Sequence, residues 1–174
     1  MDIKAFWKII ESTRKESDYN TKRQKELIID KLITYSIEDI VVFKEIFNFF
    51  TSKLEDNDGL AHLLVENFDM FLSDDGWYYF CLGTVALGKD LYTMALFDSP
   101  KFIKLLEKGD YGHPRSIEQE LYVIYPKVME RLTGSYKIED IYDLEKNNKN
   151  IRKVKNEIRS ELDSWYLEEL KKYI

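Results

Sequence analysis

The sequence predicts an all-α protein, a multi-helix bundle with a long amphipathic helix at its C-terminal end. Three observations carry that prediction. Apolar residues recur at three- and four-residue spacings along nearly the whole chain. Glycine and proline are scarce, seven and three in 174 residues, which leaves few of the turns a β fold needs. Several apolar stripes also open on Ser or Asn, and two close on Gly, as helices do.

Taken in order, Ile3, Phe6, Trp7 and Ile10 define one face of a first helix. Asn20 or Thr21 caps a second, with Leu27, Ile28, Leu32 and Tyr35 turned inward. "SIED", Ser36 to Asp39, resembles a capping box ahead of a stripe through Ile40, Phe43, Phe47, Phe50 and Leu54. "EDNDG" reads as a loop, and Leu60, Leu63, Leu64, Phe68 and Phe71 mark a fourth helix. Ser73 is expected to cap a fifth, with Asp74 and Asp75 opposing the positive end of the helix dipole and Gly88 as its stop. A short helix from Lys89 to Phe97 follows. In "DSP", Ser99 is the expected cap and Pro100 the first helical residue. "EKGDYGHPRS" is the most loop-like segment. Ile117, Leu121, Ile124, Val128 and Leu132 then form a stripe closed by Gly134. "LEKNNKN" reads as a linker, and Asn150 to Ile174 as an amphipathic helix through Ile151, Val154, Ile158, Leu162, Trp165, Leu170 and Tyr173. Glu168 and Lys172 are spaced to pair on its polar face. The expectation is nine or ten helices in one domain, 1–174, with a core over 3–134 and a linker and helix over 135–174.

Composition narrows the class. Aromatics reach 14%, so the core is expected to use large rings beside aliphatics. The first residues, "MDIKAFWKIIESTRKE", are charged throughout and do not resemble a secretory signal. The longest uncharged run, Gly76 to Gly88, falls short of the roughly 20 apolar residues that span a bilayer. The one cysteine, Cys81, fits a reducing compartment, so a soluble, cytoplasmic protein without membrane contact is expected.

Charge is uneven. The chain carries 32 acids and 26 bases, a net of −6. From Leu54 to Gly88 there is no Lys or Arg, but Glu55, Asp56, Asp58, Glu66, Asp69, Asp74 and Asp75 are present. The rest of the chain is close to neutral, with no basic patch of the kind nucleic-acid binding requires. A carboxylate surface without bases attracts a basic protein partner and speeds its association. The plainer reading is that some of these acids cap helices and the others are solvated charges.

Other constellations are weaker. His62, Glu66 and Asp69, at spacings of four and three, share a helical face and are suitable metal ligands by residue type. Paired Glu-x-x-His motifs on two helices are the better marker of such sites, and nothing here repeats, so the plainer alternative is a polar stripe. Asp74 and Asp75 are adjacent, so they do not face each other as a catalytic dyad would; capping explains both. Cys81 has no base near it in sequence and reads as a buried, inert thiol. No Gly-x-Ser-x-Gly elbow or phosphate-cradling Gly-rich loop is present; His113 and Arg115 lie in the loop-like segment, where an exposed turn suffices.

"FWKIIE" (Phe6 to Glu11), "YSIEDIVVFKEIF" (Tyr35 to Phe47), "SDDGWYYF", "LGKDLYTMALFDSPKF" and "EQELYVIYPKVMERLTG" together resemble the bacterial family of domain of unknown function 4240, over about residues 3–134. That family's pattern continues after "WYYF" with an arginine and a tryptophan-containing helix, where this chain has Cys81 and Gly83, a divergent version. The resemblance implies a helical fold and a bacterial origin; it transfers no catalytic residue and no cofactor. The expected function is a non-enzymatic interaction module, an immunity or regulatory protein that meets a basic protein partner through the acidic surface. The alternative is a metal-dependent enzyme or small-molecule binder using His62, Glu66 and Asp69. A third reading gives the C-terminal helix an oligomeric role.

Overall fold

Most helix starts are fixed by a side-chain oxygen that satisfies a free backbone N–H, which is why polar residues in the sequence mark them so well. The computed structural model describes residues 1–69, 71–109, 121–134 and 145–174. Asp2 caps α1 (Ile3–Glu16) and Asn20 caps α2 (Thr21–Leu32). Ser36 accepts the Asp39 N–H at the start of α3 (Ile37–Glu55), and its hydroxyl donates to the Asp39 carboxylate. Asn57 caps α4 (Asp58–Phe68) and Ser73 caps α5 (Asp74–Ala86). Gly88, at φ 99°, separates α5 from α6 (Lys89–Phe97). α7 (Ser99–Glu107) follows, then a 3-10 turn (Leu121–Val123) leading into α8 (Ile124–Thr133), which ends on Gly134 at φ 73°. Residues 145–147 form a helical turn, and Asn148 accepts the N–H groups of Asn150 and Ile151 to start α9 (Lys149–Leu170). The described residues contain no strand, and none of their helices is long and apolar enough to cross a membrane.

Five local expectations are corrected. Ser99 is not the cap of α7: Asp98 accepts the Lys101 N–H, and Ser99 is the first helical residue, its hydroxyl donating to the Ala95 carbonyl. Phe71 does not continue the α4 stripe, because α4 stops at Asp69 in the left-handed conformation. "EDNDG" is less a loop than a tight junction, since α3 reaches Glu55 and α4 begins at Asp58. Tyr35 lies beyond α2 and is exposed; Gln24 and Ile29 turn inward instead. Lys172 pairs with Glu169 at 2.8 Å, not with Glu168, and Tyr173 lies past the end of α9. His113 and Arg115 are outside the described residues.

The chain divides into two compact units, residues 1–47 with 122–166, and 48–121 with 167–174. In the first, Phe6 and Trp7 of α1 meet Phe43 of α3, with ring centroids 4.9 Å apart for Phe6 and Phe43. Ile28, Ile29 and Leu32 of α2, Val128 and Met129 of α8, and Ile151, Ile158 and Leu162 of α9 are buried in this unit. In the second, α5 is buried on every side from Phe80 to Ala86, as a helix enclosed in a core is. Tyr92 is fully buried there, stacked at an angle against Phe50, and its hydroxyl donates to the Phe50 carbonyl at 3.1 Å. Asn57, Phe102 and Leu106 complete the contacts between the junctions and helices of this unit.

Candidate functional site

The seven acids of the base-free segment all lie in the second unit and all are exposed. Glu55, Asp56 and Asp58 are together by sequence at the α3–α4 junction, and one contact brings Asp74 and Asp75 to them. The Trp77 indole N–H donates to the Glu55 carbonyl at 3.3 Å, which lays the first turn of α5, with Asp74 and Asp75, against the end of α3. Asn57 caps α4 with its side-chain oxygen, while its amide nitrogen donates to the Leu96 carbonyl at 3.2 Å and the Ser99 hydroxyl at 3.3 Å. Glu55, Asp56, Asp58, Asp74 and Asp75 therefore share one end of the unit. Glu66 and Asp69 do not: they lie about 12–16 Å further along α4, from the rise of 1.5 Å per residue.

No carboxylate of the seven has an ion-pair partner among the described residues. Partial burial, and then the neighbouring Asp56 charge, push the Glu55 carboxyl above its ordinary value. Phe71, 84% exposed, lies in the short connection between the Asp69 C-cap and the Ser73 cap, three residues ahead of Asp74. Its spacing from Phe68 fits an apolar helical face, and the left-handed Asp69 is what removes it from that face.

His62 and Glu66 do share the outer face of α4, but Asp69 leaves it as the C-cap at φ 46°. No group of three or more His, Cys, Asp or Glu side chains that could hold a metal is found among the described residues. Cys81 is fully buried, and that burial, followed by the Glu55 charge, pushes its thiol far up, so it is held as the unreactive thiol.

One constellation that the sequence reading did not anticipate lies in the first unit. The buried Glu145 accepts from Lys44 at 2.7 Å, Tyr125 at 2.7 Å and Lys155 at 3.0 Å. Lys155 also meets Glu45 at 2.9 Å, and Arg159 meets Glu45 at 3.0 Å. The Lys44 ammonium sits 4.3 Å from the centre of the Tyr125 ring. Burial pushes the Glu145 carboxyl up, but the hydrogen bonds from Lys44, Tyr125 and Lys155 outweigh it and hold the group below its ordinary value. Burial and then the Glu145 hydrogen bond push the Tyr125 phenol up. The network joins a helix near the start of the sequence to a segment that reads locally as a linker. The available signal was the run from Lys146 to Asn156, which holds five bases and no acid.

The family described as "Protein of unknown function (DUF4240)" matches residues 1–127. No curated protein and no solved structure matches the chain.

Proposed function

The chain belongs to the DUF4240 family, and we propose that it is a non-enzymatic interaction module, a bacterial, cytoplasmic immunity or regulatory protein that binds a basic protein partner. One observation carries the reading: five exposed carboxylates without ion-pair partners among the described residues are gathered at one end of a unit, and the connection leading into Asp74 and Asp75 carries the exposed Phe71. Unanswered carboxylates steer a basic partner and raise its on-rate, most strongly at low salt. An aromatic ring at such a surface supplies desolvated contact area, which charge alone does not. Binding would act by occlusion, with Glu55, Asp56, Asp58, Asp74 and Asp75 meeting Lys or Arg and Phe71 entering an apolar recess. Glu66 and Asp69 then contribute little.

The test begins with a pull-down at low and high salt to obtain a partner, which is purified for affinity measurement. Asp56→Lys with Asp58→Lys is expected to weaken binding more than tenfold and to flatten its salt dependence. Phe71→Ala is expected to weaken it about tenfold with the salt dependence intact. Glu66→Lys serves as the control and leaves affinity near wild type. Unchanged affinity in the first two variants would sink the reading.

A further inference from the structure

The run from Lys146 to Asn156 reverses the charge pattern of the acidic segment: Lys146, Lys149, Arg152, Lys153 and Lys155, with no acid among them. The fold gathers part of it around a cleft of about 320 Å³ in the first unit, lined by Glu145, Lys146, Arg152, Lys155, Asn156 and Arg159. Arg152, Lys155, Asn156 and Arg159 recur at three- and four-residue spacings, so they run along one face of α9. The lining presents four cations and one carboxylate in a chain whose net charge is −6.

These cations are of two kinds. Lys155 and Arg159 are fixed in place by Glu45 and Glu145. Lys146 and Arg152 are exposed and have no carboxylate partner among the described residues. Their position works against local stability. Arg152 and Lys155 are like charges one turn apart, and both lie towards the positive end of a helix whose first turn holds no acid. By contrast, α3, α4 and α5 each begin with acids. An anion in the cleft would relieve both repulsions.

We propose that this cleft binds a small phosphate-bearing molecule, with Arg152 and Lys146 as the principal contacts and Lys155 and Asn156 as further donors. Two features favour phosphate over carboxylate. A guanidinium fork matches two phosphate oxygens, and a dianion answers both unpaired cations where a monoanion answers one. The volume lies near the lower end for small-molecule sites, enough for a phosphate with a modest organic group. Glu45 and Glu145 oppose an anion by charge, but both are engaged: Glu145 by Lys44, Tyr125 and Lys155, Glu45 by Lys155 and Arg159. The inference is independent of the acidic-surface reading.

Inorganic phosphate is the probe, titrated into the full chain and followed by backbone amide NMR, with sodium chloride and sodium acetate at matched ionic strength. Saturable shifts concentrated at residues 145–159 are expected, with phosphate at least about tenfold tighter than acetate. Lys146→Gln with Arg152→Gln is expected to weaken phosphate binding by about tenfold or more. Both side chains are exposed, so the variant keeps its circular dichroism and melting temperature in phosphate-free buffer. Lys153→Gln, paired with Glu157 outside the lining, leaves binding unchanged. Shifts no different from those in chloride, or a double variant that binds phosphate like the wild type, would overturn the proposal.

Discussion

The acids of the two units are disposed in opposite ways. In the first unit Glu16, Glu26, Asp30, Glu45 and Glu145 each meet a Lys or Arg. In the second, the seven acids from Glu55 to Asp75 meet none among the described residues, and Glu169 is the acid there that is paired. The paired acids fasten segments far apart in sequence: Lys44 to Glu145, Glu45 to Arg159 and Asp30 to Arg131 each span more than a hundred residues. The unpaired acids fasten nothing. Apart from the Lys89–Glu169 pair, the contacts inside the second unit are made by neutral groups: Asn57, Trp77 and the Tyr92 hydroxyl. Charge in the first unit is structural; along the Glu55–Asp75 segment of the second it is left available.

The sharpest way to break that contrast is to delete one acid from each side. Glu145→Ala removes the acceptor shared by Lys44, Tyr125 and Lys155, leaving Lys155 with Glu45 alone and Lys44 with no carboxylate among the described residues. A destabilisation of about 2–3 kcal/mol is expected, below the largest values for buried pairs because both lysines keep some solvent. Urea denaturation measures it. Asp75→Ala in the second unit should change stability by no more than about 1 kcal/mol, the worth of a charge at a helix start. Equal losses in the two variants would erase the distinction.

Asn57→Ala probes the neutral fastening. It removes a helix cap and the hydrogen bonds to Leu96 and Ser99, an expected loss of about 1–2 kcal/mol. Because no charge is involved, the loss should be the same at pH 7 and in mild acid. A loss that depends on pH or salt would mean that the neighbouring carboxylates take part.

Acid titration separates Glu145 from Glu55 by sign. Glu145 is held below the ordinary glutamate value of 4.5, so it adds stability above that pH, and this is lost as pH falls through its folded value. Glu55 is pushed above 4.5, so its charged form is disfavoured in the fold at neutral pH, and protonation relieves this as pH falls towards 4.5. Stability measured downward from pH 7 should therefore carry a shallow gain before the main fall. Glu55→Gln should remove the gain, and Glu145→Gln should flatten the fall. If Glu145→Gln left the acid limb unchanged, the network would not be carrying charge-dependent stability.

The local helices were legible because their signals are local. Ser73, Asn20, Gly88 and Gly134 act on residues within one turn of themselves, and the stripe from Ile40 to Leu54 is wholly buried as its spacing implied. The acidic segment was legible as a run of charge, but not as a surface. Its division into five gathered acids and two distant ones depends on Trp77 reaching Glu55, a contact 22 residues apart. Glu145 was illegible for the same reason. Its partners are Lys44, Tyr125 and Lys155, and in "LEKNNKN" nothing local marks it as buried. Phe71 shows the converse error, a local periodicity overruled by a single backbone conformation at Asp69.

The smallest expected effect is also the one most specific to the unpaired acids. Glu55 closes α3 and Asp56 follows it, so two carboxylates sit at the negative end of a helix dipole beside each other. Nothing among the described residues neutralises either. Asp56→Asn should therefore stabilise the protein, by up to about 0.5 kcal/mol at low ionic strength. The gain should shrink towards zero in about 0.5 M salt, where screening acts over only a few ångströms. Matched urea titrations of the variant and wild type at the two salt concentrations read it directly. A gain at low salt means the acid is kept at a cost to the fold, as a residue retained for binding would be. A loss would mean that Asp56 has a partner in solution, and the end of α3 would then belong with the fastened acids of the first unit.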